Sequence, residues 1–140
     1  MSILVIINTN CTNKSNHNTK IFSKYLKSQF RLDIPNEKHY YLIFPEFGCS
    51  GCIISNFLDI EKFSSCNSIS IIVSNKELQK NYFQNDDILF DKNGTIEILN
   101  LGIGNIAIIE THDKIVDNVY NLTYNEKIID LVRIDSLCLK

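Results

Sequence analysis

No stretch of the 140 residues stays apolar for the roughly twenty positions that a bilayer-crossing helix needs, so no segment reads as a transmembrane helix. An excess of one charge is also missing, since 14 basic against 16 acidic residues leave a net charge of −2 and a pI near 5.9. Phosphate binding needs a concentrated basic surface. Here the basic residues look scattered along the sequence, and nucleic acid is not expected as a partner. There are two prolines, Pro35 and Pro45, and three histidines, His17, His39 and His112, far apart from one another. The chain also lacks a second Cys-x-x-Cys pair, an internal repeat and a change in composition that would mark a second domain.

What is present is an ordinary globular composition. At 44% hydrophobic and 21% charged the chain is too apolar to remain disordered, and 16.1 kDa is enough for one domain with its own core. Disulfides are therefore not needed merely to hold it folded. Five cysteines is an odd number, so at least one thiol is unpaired within the monomer. Cys49 and Cys52 stand at a motif spacing; Cys11, Cys66 and Cys138 are isolated. Cys66 reads as a small, partly buried residue and Cys138 as a thiol on a frayed tail.

Residues 1–20 read as an apolar segment plus a polar linker, and 21–140 as the domain proper. The run Ile3 to Ile7, closing on Cys11 and followed by polar residues, has two readings. One is a shortened lipoprotein signal, with Cys11 lipidated as a membrane tether and the protein held in the cell envelope or periplasm. The other is a first β-strand, which suits consecutive β-branched residues and leaves the protein cytoplasmic.

From there, apolar residues recurring at three- and four-residue steps predict a helix from a Thr19 cap through Phe22, Tyr25, Leu26 and Phe30. Residues 39–44 are continuously apolar, as in a central strand covered on both faces, with Tyr40 and Tyr41 as core and strand-face residues. Pro45 to Gly48 turns the chain, and Cys49 opens a helix reaching about Phe63. A strand at 68–73, a helix at 76–83, a short strand at 88–90 and an Asn-Gly turn at 93–94 follow. A hairpin of 106–110 and 115–120 and a closing helix from Glu126 to about Leu137 complete the order. His112 and Asp113 fall at the hairpin tip, where polar residues are expected without any catalytic role.

The Cys49-Ser50-Gly51-Cys52 sequence has a physical logic. The first N–H groups of a helix lack intrahelical partners and the macrodipole adds partial positive charge, both of which stabilise a thiolate. Two intervening residues let a second thiol reach the first and resolve a mixed disulfide. Cys49 would attack and Cys52 resolve, while Ser50 and Gly51 leave the thiolate accessible. The other reading, half of a zinc site, needs further Cys or His ligands that this sequence does not place nearby. The redox disulfide needs no separate cofactor.

The stretch Tyr41 to Cys52 resembles the strand-to-CxxC junction of thioredoxin-like proteins, most closely the envelope-associated thiol–disulfide proteins of the Bacteroidetes type. The resemblance extends over about residues 21–137. It implies a three-layer α/β fold with a central mixed sheet flanked by helices, and disulfide exchange with protein thiols or disulfides and with a reductant or oxidant partner. The sequence departs from the family pattern in two places. Asn105 stands where a cis-proline would face the dithiol; a cis bond before a non-proline costs about 3 kcal/mol, and Gly104 could supply backbone freedom instead. Ile43 stands where the family has a buried acid, leaving Glu46 as the nearest carboxylate to serve the resolving thiol. Phe47 offers an aromatic surface for a partner peptide beside Gly48 and Cys49. The two readings carried forward are a thiol–disulfide oxidoreductase and a redox-inactive binding or scaffold module; a peroxidase is a weaker third.

Overall fold

A computed structural model describes residues 9–82, 84–133 and 138, with side chains from residue 13. The elements run α1 (Thr9–Phe30), β1 (His39–Phe44), α2 (Ser50–Ile60), β2 (Ile69–Val73), α3 (Lys76–Tyr82), β3 (Ile88–Phe90), α4 (Thr95–Ile98), β4 (Ala107–His112), β5 (Ile115–Asn121) and α5 (Ile128–Leu131). A 3-10 turn over Glu61–Phe63 extends α2.

The five strands form one mixed sheet in the order β3-β2-β1-β4-β5. β1 lies at its centre, parallel to β2 and antiparallel to β4. Side chains alternate along a strand, so a central strand feeds two cores. Leu42 and Phe44 join Ile53, Phe57 and Ile60 of α2, Leu78 of α3 and Ile128 of α5 on one face. Tyr41 and Ile43 join Phe22, Tyr25 and Leu26 of α1 and Ile96 of α4 on the other. The molecule is therefore a mixed α/β protein with helices on both faces of the sheet.

The first helix begins earlier than its apolar periodicity suggests. Residues 12–19, polar enough to read as a linker, belong to α1, and Thr19 lies within it rather than capping it. Two hydroxyls account for the difference. Ser15 Oγ donates to the Val116 carbonyl at 2.7 Å, and Thr19 Oγ1 accepts the Val116 N–H at 2.9 Å. Tertiary hydrogen bonds to β5 thus recruit a turn that propensity alone would leave unformed. The run Ile3 to Ile7 lies outside the described residues; Cys11 falls within α1, its side chain also outside them.

Five of the fourteen basic residues fall together on one element and its end, the other nine being spread from Lys38 to Lys140. α1 carries Lys14, Lys20, Lys24 and Lys27 and no acidic residue, and Arg31 follows at its end. His17, Lys20, Lys24 and Lys27 recur at steps of three and four, which puts them on one helix face, all exposed. The buried face carries Asn18, Phe22, Tyr25 and Leu26.

The isolated cysteines are also corrected. Cys66, in the turn before β2, and Cys138, near the chain end, form a disulfide across a separation of 72 residues. Both pack against the α2-side core. The pairing is invisible in sequence because it is set by the tertiary path alone. The closing helix is shorter than expected: it begins at Ile128 rather than Glu126, and Val132 leaves it with an extended backbone, while the stretch 134–137 lies outside the described residues.

Candidate functional site

The dithiol follows directly from the C-terminal end of β1. Phe44 at the strand's end is fully buried, and the next residues must leave the sheet. Gly48 makes that exit possible: its φ is +123°, and a Cβ there would stand 2.9 Å from Asn105 Oδ1. Two carboxylates hold the connecting loop. Glu97 Oε1 accepts from the Glu46 N–H at 2.5 Å and from Ser74 Oγ at 2.6 Å. Glu46 Oε2 in turn accepts the Lys76 N–H at 2.6 Å, at the start of α3. Glu46 is thereby committed to the loop's anchorage, and it does not line the cavity beside the thiols.

Cys49 is the N-cap of α2. Its backbone is extended, its carbonyl accepts the Ile53 N–H at 3.0 Å, and its Sγ accepts the Cys52 N–H at 3.4 Å. A cap side chain that satisfies an orphan helix N–H is normally an oxygen; here sulfur takes that position, where the helix end favours negative charge. Cys49 is exposed and Cys52 half-buried, both as free thiols. The pair is asymmetric. Hydrogen bonding from the Cys52 thiol, followed by that from its N–H, holds Cys49 below the ordinary thiol range. The same contact with Cys49, then burial, pushes Cys52 up. Gly51 has open space where a Cβ would be, so nothing crowds the thiols from the intervening pair.

Beside the dithiol lies a cavity of about 260 Å³, lined among others by Cys49, Cys52, Asn56, Asn105, Tyr124 and Glu126. Asn105 faces the dithiol and is held by an Nδ2–H donated to the Leu122 carbonyl at 2.8 Å. Among the described residues no peptide bond is cis, the Gly104–Asn105 bond included. The backbone freedom expected of Gly104 is needed two residues earlier, at Gly102, whose φ is +73°. Asn121 ties the two together, donating to the Gly102 carbonyl at 2.9 Å and accepting the Gly104 N–H at 3.0 Å.

Several residues at the site carried no signal in the sequence. Buried Asn56 donates to the Cys52 carbonyl at 3.0 Å and accepts the Ile128 N–H at 2.9 Å, joining the dithiol helix to α5. Glu126, rather than Glu46, is the carboxylate that shares the cavity with the thiols. It accepts from Tyr120 OH at 2.5 Å and from the Thr123 N–H at 2.7 Å, and these bonds hold its carboxyl below the usual range. Tyr124, at 80% exposure, is the aromatic at the cavity; Phe47, at 42%, sits on the loop outside it. A strand, a hairpin end and a helix bring these residues together from positions up to 78 apart in the numbering of Gly48 and Glu126.

His112 Nδ1 and Asp113 Oδ2 lie 3.4 Å apart, both exposed. Their turn is held by Pro35 and Asn36, whose carbonyls accept from Lys114 and Asp113. That is the start of β1, whereas the dithiol follows its end. Six residues of strand at about 3.3 Å each separate the two.

Among the described residues no group of three His, Cys, Asp or Glu side chains gathers as a metal site, and no helix is long and apolar enough to cross a membrane. Comparison of the chain with protein-family models, curated proteins and solved structures finds no match.

Proposed function

We propose that the protein is a thioredoxin-like thiol–disulfide oxidoreductase acting on protein disulfides. The observation that carries the reading is the asymmetry of the pair: an exposed N-cap thiol with its pKa lowered, beside a less exposed thiol with its pKa raised. The Cys49 thiolate attacks one sulfur of a substrate disulfide; the other sulfur leaves as a thiolate and takes up a proton. Cys52, on losing its proton, attacks Cys49 Sγ and releases the second substrate thiol. The substrate gains two electrons, Cys49 and Cys52 become a disulfide, and an external dithiol must reduce them for another turn.

The helix-flanked mixed sheet, with the dithiol at the end of its central strand, is consistent with that family. The Cys66–Cys138 disulfide supports an oxidising compartment such as the envelope, because disulfides rarely persist in a reducing cytosol. Lipidation at Cys11 would be one tether for such a location.

One observation favours the second reading, a redox-inactive binding module: Asn105 meets the dithiol through a trans peptide, where the family pattern has a cis-proline. The experiment that separates the two is Cys52→Ser, incubated with disulfide-bonded client proteins. The oxidoreductase accumulates mixed disulfides through Cys49; an absence of adducts, with Cys49 alkylating like an ordinary thiol, rejects that reading.

A further inference from the structure

The polar first half of α1 carries a buried side chain that the fold does not use. Asn18 is 7% exposed, yet its carboxamide makes no hydrogen bond to any described residue. Buried amides in folded proteins are almost always bonded. Asp91 Oδ1 is the one side-chain atom among the described residues that is sealed off without a partner. The Asn18 amide is open instead, to a groove of about 390 Å³ that it lines with Lys14, with Leu101 and Gly102 before β4, and with Val119 and Asn121 of β5. The β5 wall is unsatisfied too. Leu122 N–H bonds the Ile106 carbonyl at 2.8 Å, and the register continues through Tyr120 with Ile108 and Asn118 with Glu110. Bonded pairs alternate along an antiparallel ladder, so the peptide groups of Val119 and Asn121 point away from β4. No described residue bonds them.

We infer that this groove binds a short extended segment of the client protein, main chain to main chain. Val119 and Asn121 each present a donor and an acceptor, about 7 Å apart, which is the two-residue repeat of a strand and is matched by an extended polypeptide. A carboxamide carries the same donor and acceptor as a peptide unit, so Asn18 adds recognition of one more unit from the opposite wall. The segment is short because Val116, further along the same edge, is already taken by Ser15 and Thr19. The groove also adjoins the dithiol. Asn121 Oδ1 accepts the Gly104 N–H at 3.0 Å, and the next residue, Asn105, lines the cavity of Cys49 and Cys52. A chain lying along Val119 and Asn121 thus leads toward the attacking thiol. The inference rests on the redox reading only in taking the bound segment to belong to the client.

The test is an NMR titration of the full isotope-labelled chain with a short peptide of alternating threonine and valine, with a central serine and a lysine at each end. The Val119 and Asn121 amides and the Asn18 side-chain amide should shift, and exchange at the two backbone amides should slow. The same peptide methylated at its central backbone nitrogens should produce neither effect. Asn18→Ala gives up no hydrogen bond within the chain and favours the helix, so its urea midpoint should not fall, while the peptide should bind about tenfold more weakly. The link to the dithiol is read in Cys52→Ser, using the disulfide dimer of the peptide with cysteine for serine. Adding Asn18→Ala should slow its adduct with Cys49 about tenfold and leave the adduct with glutathione disulfide unchanged. The groove assignment is overturned if the serine peptide shifts neither Val119 nor Asn121, if the methylated peptide acts equally, or if a disaccharide acts at those residues where the peptide does not. Absence of adducts from both disulfides rejects the redox reading, and the client with it, so the two failures are told apart.

Discussion

The side-chain oxygen of Asn105 occupies the space that a Cβ on Gly48 would need, 2.9 Å from it. The turn into the dithiol and the loop across from it are thus fitted to each other, and Asn105 is fixed in turn by the Leu122 carbonyl. Gly48→Ala meets two penalties at once, the φ of +123° and this contact. A loss of about 2–4 kcal/mol is expected by urea denaturation, of which the backbone accounts for about 1–3. Adding Asn105→Ala should recover the contact penalty but not the backbone one, so the double-mutant cycle reads out a favourable coupling.

Thiol reactivity should depend on pH differently at the two cysteines. Iodoacetamide should modify Cys49 with a midpoint below that of an ordinary thiol, because Cys52 donates to its thiolate. Cys52→Ser leaves a hydroxyl and should move the midpoint only part of the way back, whereas Cys52→Ala should move it further. In Cys49→Ala the Cys52 midpoint should drop toward the ordinary range. Mass-spectrometric alkylation profiles check all three.

The Cys66–Cys138 bridge closes a long loop, with 72 residues of separation. Chain-entropy arguments give such a crosslink about 4 kcal/mol. Cys138→Ser should lower the urea midpoint accordingly while leaving Cys49 alkylation intact. Because the bridge packs against the α2-side core, partial loosening of α5 should appear first, as faster amide exchange at Ile128, which bonds Asn56.

His39 is buried, with its Nε2 2.9 Å from Ser70 Oγ, and burial lowers its pKa. Its charged form is favoured in the unfolded chain, so stability should fall as pH drops through about 6.5 and level off once the folded-state value is passed. His39→Gln should flatten the stability–pH curve in that window. Glu126 acts in a separate, lower window: its carboxyl is held below the usual range, so its contribution is present above the unfolded value and is lost on acidification through the folded one.

Tyr25 donates to the buried Asp91 carboxylate at 3.0 Å, the same oxygen that accepts the Ile96 N–H at 2.7 Å. Burial and the neighbouring charge raise the tyrosine's pKa, so it remains a neutral donor. Tyr25→Phe leaves that carboxylate short of a partner and should cost about 1–3 kcal/mol by thermal or urea unfolding.

Local patterns in the sequence carry most of the layout. The unbroken apolar run at 39–44 places the central strand, and the cysteine spacing after it places the dithiol on the following helix. The hairpin is legible too, although its two turn residues, Asp113 and Lys114, adopt positive φ without a glycine. What escapes local reading is whatever a distant partner decides. α4 forms at Thr95 because Gly94 turns into it and Asp91 accepts its Ile96 N–H. The polar first turns of α1 are secured by β5, Cys66 and Cys138 find each other across 72 residues of chain, and Glu126 reaches the thiols only after β4 and β5 fold back. Carboxylate proximity to a dithiol is a property of the tertiary path; Glu46, closer in sequence, is captured by the first N–H of α3.

The hydroxyl clasp of Ser15 and Thr19 on Val116 reaches beyond the length of a helix. β5 is a border strand, and its outward-facing peptide groups could template pairing with a strand from another molecule. By engaging both the N–H and the carbonyl of Val116, α1 removes one rung of that template, and the opposite border strand β3 is only three residues long. Replacing both hydroxyls would therefore expose a seam along which molecules could join, and the first sign would be fibrillar self-association rather than loss of the fold.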